Sequence, residues 1–140
     1  MSLSKAKTRI SAGVKQVQSV SGIKRMVVEL GIGAAVGVIV DLILAYIFIN
    51  IVRPALATTE DPIGEEPTRI YGFSIFPNQV ATDGRPFMHW DDIILIVITV
   101  AMVFSKKLFL TLGFFVGWYF SSYMGLYDAL SLPHPEAPVP

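Results

Sequence analysis

Two apolar stretches of this chain carry small residues at every fourth position: Gly33, Gly37, Asp41 and Ala45 in the first, Gly113, Gly117, Ser121 and Gly125 in the second. On a helix such residues share one face and leave a groove where another backbone approaches closely. In lipid an apolar side chain gains nothing by leaving its surroundings, so helices associate through close packing of this kind and through polar contacts. The rows therefore point to helices that pack on helices inside a bilayer. Two rows exceed what one internal contact requires, which predicts that at least one of them faces another chain.

The rest of the composition agrees. Of 140 residues 53% are hydrophobic and 16% charged, and the mean hydropathy is +0.59, beyond an ordinary soluble domain. The net charge of zero hides segregation: six basic residues, Lys5, Lys7, Arg9, Lys15, Lys24 and Arg25, precede the first acid, Glu29, whereas seven acids lie between Glu60 and Asp92. The absence of cysteine excludes disulfides, thiolate zinc sites and cysteine nucleophiles.

These patterns divide the chain. Residues 1–25 form a basic juxtamembrane arm, amphipathic or partly disordered, on the membrane surface. Residues 26–52 form a first transmembrane helix of roughly 40 Å, ended by Arg53 and Pro54. Its length argues against a cleaved signal, although Ala55-Leu56-Ala57 has the form of a cleavage site. Residues 53–90 form an acidic extracytoplasmic loop in which Arg69–Phe76 is a short strand or an interfacial segment. Residues 91–105 and 108–130 are the second and third transmembrane helices, joined by a tight turn at Ser105-Lys106-Lys107. The second is short, and a re-entrant segment is its alternative. Residues 131–140 are a proline-rich tail. Lys24, Arg25, Trp90, Lys106, Lys107 and Tyr127 are the expected interface anchors. The distribution of basic and acidic residues places the N-terminus in the cytoplasm, and the loop and C-terminus outside.

Few residues carry chemistry. Asp41 falls near the middle of the first span, where an ionised carboxylate costs about 2.5–3.5 kcal/mol on insertion scales. It is either a proton- or cation-carrying group or, as the small-residue row favours, an aspartate joining helices through Ser121, Tyr119, Thr99 or another chain. A glycine-rich helix with a buried carboxylate resembles the proton-carrying ring subunits of rotary ATPases. Those place the carboxylate on the second helix of a hairpin, however, whereas Gly33, Gly37 and Asp41 share one helix here. Glu29 is expected to pair with Lys24 or Arg25. Asp83, His89, Asp91 and Asp92 are candidate ligands for a divalent metal at the outer face, although Asp91 and Asp92 also suit a helix N-terminus. The aromatic residues Phe109, Phe114, Phe115, Trp118, Tyr119, Phe120, Tyr123 and Tyr127 are expected to face lipid rather than a quinone or carotenoid. The basic arm is expected to attract anionic lipid, with no preference for nucleic acid.

The expectation is an all-α integral membrane protein with three transmembrane helices, a first span followed by a helical hairpin. It binds phospholipid and no other cofactor. Its role is that of a non-catalytic accessory subunit of a larger membrane complex. The alternatives are a homo-oligomeric channel or ion carrier using Asp41, and a viral membrane or holin-like protein.

Overall fold

The computed structural model describes residues 2–17, 20–75, 80–81 and 83–126, and it is mostly helical. Helix α1, Leu3–Val17, gives the basic arm a regular conformation, and Arg9 Nη1 donates to Val103 O at 2.7 Å to tie it to the far end of the hairpin. Helix α2 spans Val20–Ile47, and near its N-terminal end Arg25 Nε pairs with Glu29 Oε1 at 3.0 Å, one turn apart.

The first span does not stop at Arg53 and Pro54. Phe48–Val52 form a π turn and α3, Arg53–Leu56, continues the axis, so that Ser21–Leu56 is one helical rod of 36 residues, about 54 Å long. Proline breaks an α-helix because it lacks an N–H and its ring crowds the carbonyl four residues back. Here the wider turn, in which Arg53 N–H reaches Phe48 O five residues earlier, accommodates that ring. This rod is long and apolar enough to cross a membrane.

Two shorter helices follow the loop. Helix α4 is Trp90–Val103, and α5 is Leu108–Met124. The turn between them contains Lys106 and Lys107, and Thr111 Oγ1 latches it, lying 3.1 Å from both Met102 O and Lys107 O. Gly125 ends α5 in the left-handed conformation, with its N–H on Ser121 O. It is thus a helix cap, and the packing row stops at Ser121.

The rows meet each other. Helices α2 and α5 run parallel: a Cβ built on Gly33 would stand 2.2 Å from Leu110 O, and one on Gly37 2.2 Å from Phe114 O. Reciprocally, Gly113 lies against Leu30 O (2.3 Å) and Gly117 against Ala34 O (2.1 Å). Each step of four residues on one helix matches a step of four on the other, so the carbonyls of each helix rest on the bare Cα atoms of its neighbour. Both rows are consumed inside the chain, and neither is left for another chain.

Beside this seam lies the core, formed by Met88, Leu95, Phe114 and Trp118, with Val40 and Leu44 of α2 packed against it. Phe109, Phe114 and Trp118 are buried and do not face lipid as expected. Phe114 and Trp118 follow Gly113 and Gly117 directly and so sit on the flank of the seam that α4 covers, whereas Phe120 and Tyr123 are exposed. The segment between the rod and α4 contributes Met88 from a two-stranded ribbon, β1 (Arg69–Tyr71) paired antiparallel with β2 (Phe87–His89). Before it, Asp61 accepts from the N–H groups of Gly64 (3.0 Å) and Glu66 (2.9 Å). Gly64, at φ 70°, packs so tightly on the end of the rod that a Cβ would stand 1.9 Å from Arg53 O. The tail and Tyr127 lie outside the described residues.

Candidate functional site

Asp41 continues the α2 row one turn beyond Gly37 and is 7% exposed. With no side chain at Gly37 or Gly117 to hold the helices apart, the carboxylate meets the polar end of the α5 row. Ser122 Oγ donates to Asp41 Oδ1 at 3.2 Å, and Ser121, fully buried, lies beside the same carboxylate. The other partners anticipated for Asp41 are engaged elsewhere: Tyr119 Oη donates to Ile75 O at 3.0 Å, and Thr99 Oγ1 to Leu95 O of its own helix at 2.9 Å. Ser122 is the partner the four-residue spacing does not single out, because it stands one position off the row.

A second polar group forms outside the helices, where α3 and the loop meet the start of α4. Thr68, buried, donates through Oγ1 to Glu65 O at 2.7 Å and lies 3.4 Å from His89 Nδ1. On the other side of the ring, Nε2 lies 3.5 Å from Arg53 Nη2 and 3.6 Å from Glu65 Oε1. Burial drives the His89 pKa down to about 4 from its usual 6.5, and the Arg53 and Arg69 charges act the same way against the opposing pull of Glu65. His89 is therefore a neutral imidazole at physiological pH. Its other face meets the edge of Phe87 at 5.1 Å between centroids, and the Arg69 guanidinium covers Phe87 at 4.6 Å. Arg69 also grips both neighbouring acids, Glu65 and Glu66, at 2.9 Å each, and Tyr71 donates to Glu66.

The four residues considered as metal ligands are not brought together. Asp83 pairs with Arg85 in an exposed turn at 2.9 Å. Asp92 Oδ2 accepts the His89 backbone N–H at 3.2 Å as part of the helix cap. Asp91 is partly buried, under the positive field of Arg53. Among the described residues no group of three or more histidine, aspartate and glutamate side chains is arranged to hold a metal ion. Helix capping accounts for Asp92 and charge pairing for Asp83.

Of the packing-row residues, Gly33, Gly37, Asp41, Gly113, Gly117 and Ser121 are buried along the seam and Ala45 is half-buried above it. Of the anchors, Lys24, Arg25, Trp90, Lys106 and Lys107 are exposed. Arg53, Glu65, Thr68 and Arg69, which form the outer polar group, have no motif that reveals them in the sequence. Only the fold places Arg53, at the end of a rod, beside His89 some 36 positions later.

No family model, curated protein or solved structure matches this chain.

Proposed function

We propose that this chain is a three-span integral membrane protein, with its N-terminus inside and C-terminus outside, that serves as a non-catalytic accessory subunit of a larger membrane complex. The observation that carries this reading is the placement of Asp41. A pore or carrier assembled from copies of the chain needs that carboxylate at an outward face or in a watery path. Instead it is 7% exposed, turned into the α2–α5 seam and bonded to Ser122 of the same chain. It acts as a bond between helices.

Membership of a complex is supported by α4. Its 14 residues give about 21 Å, short of the ~30 Å hydrocarbon core. With both glycine rows used internally, a partner meets the outward face of α4, where Val97 and Val100 are exposed. Native mass spectrometry of material extracted in mild detergent from its own cells tests this. A stoichiometric set of other membrane subunits is expected. A monomer, or a ring of this chain alone, would refute it.

A further inference from the structure

Beneath the hairpin, α1 crosses the turn between α4 and α5 and encloses a cleft of about 670 Å³. Three cations line it, Lys5 and Arg9 from α1 and Lys106 from the turn, and none of the lining residues is acidic. Ser105 adds a hydroxyl beside them, while Val103 and Phe109 supply an apolar wall rising along the two helices. The Arg9–Val103 bond ties α1 to the end of α4 across the opening.

We propose that this cleft binds one anionic phospholipid, with its phosphate among Lys5, Arg9 and Lys106 and its acyl chains along Val103 and Phe109. The inference rests on the membrane reading above, which puts the lysine turn and the basic arm at the level of the headgroups. Charge complementarity selects the headgroup: three positive groups and no carboxylate disfavour a zwitterionic lipid, whose ammonium finds no partner. The apolar wall distinguishes a lipid from free phosphate, which has nothing to place there. Arg9, held to Val103, is the fixed element, and the two lysines close on the phosphate from opposite sides of the cleft.

The test uses the full chain in non-ionic detergent, titrated with phosphatidylglycerol or phosphatidylcholine, and counts bound lipids by native mass spectrometry. One phosphatidylglycerol is expected to saturate where phosphatidylcholine does not. Each charge near such a surface is worth roughly fivefold in affinity, so Lys5→Gln with Lys106→Gln should weaken binding roughly thirtyfold. The matched pair Lys7→Gln with Lys24→Gln, outside the cleft, should leave it unchanged. Equal loss in both pairs would mean a diffuse basic surface and overturn the site. So would equal binding of the two lipids, or displacement of phosphatidylglycerol by millimolar inorganic phosphate. Carbonate washing of phosphatidylcholine vesicles reads insertion separately: release refutes the membrane reading and the site with it, whereas retention with no lipid preference refutes the site alone.

Discussion

Adding one methyl group at Gly117 should be far more costly than adding one at Gly31, although both glycines belong to apolar helices. The new Cβ at Gly117 would stand 2.1 Å from Ala34 O and 2.6 Å from its Cα, both backbone atoms that no rotamer change can move. Ordinary contact begins at 3.4 Å, so α5 must retreat from α2 by about 1 Å, and it carries Gly113 with it. Overpacking of this kind costs about 1–3 kcal/mol. Weakening the carbonyl contacts on the remaining glycines adds to that at about 0.5–1 kcal/mol each. Against this stands the helix propensity gained on replacing glycine, about 1 kcal/mol. The net expectation for Gly117→Ala is a loss of about 2 kcal/mol or more. Gly31 meets nothing within 4 Å, so Gly31→Ala keeps the propensity gain with no clash and should be neutral or stabilising. Reversible unfolding in mixed micelles, followed by tryptophan fluorescence in a Trp90→Phe background that leaves buried Trp118 as the reporter, compares the two directly. Equal effects of the two substitutions, or a stabilised Gly117→Ala, would refute the glycine seam as the close contact that holds α2 to α5.

The loop and the seam offer three further tests. Gly64→Ala combines a left-handed φ of 70° with a backbone collision at Arg53 O, so it should open the loop to limited proteolysis while leaving the α2–α5 seam protected from hydrogen exchange. For His89 the folded pKa near 4 lies below the unfolded 6.5, so the unfolded chain binds the extra proton between them: stability is full above pH 6.5 and falls as pH drops toward 4. The full span corresponds to about 3 kcal/mol for a side chain 12% exposed, and His89→Gln should remove this portion of the pH dependence of unfolding. Asp41→Asn retains an acceptor for Ser122, so assembly should survive on a native gel. Proton or cation flux through wild-type protein in liposomes that disappears in this variant would instead establish the channel reading.

Much of this architecture is legible in the sequence, but only as far as periodicity reaches. The spacing of Gly33, Gly37, Gly113 and Gly117 reveals two packing faces because helical geometry repeats. It does not say what each face touches, and the two close on each other. Phe109, Phe114 and Trp118 show the same limit: eight aromatic residues read as a lipid-facing belt, and only their packing in the fold separates three buried ones from the rest. At Pro54 a local rule fails for a local reason, since a π turn supplies the room that an α turn denies. His89, Asp91 and Asp92 are dense in acid and imidazole, but density along the chain says nothing of direction. Their side chains cluster at a helix start beside an arginine, and the residues that complete the group come from 20 or more positions before His89.

The π turn at Phe48–Val52 has a mechanical consequence. By carrying the helix past Pro54 it makes the span and the base of the outer loop a single stiff lever, with Gly64 seated on one end and α1 following the other. Over about 54 Å, a pivot of roughly 5° at the loop sweeps the N-terminal end through nearly 5 Å, about one helical turn. A load applied at the loop is therefore felt at the α1 end as displacement, carried by one continuous helix.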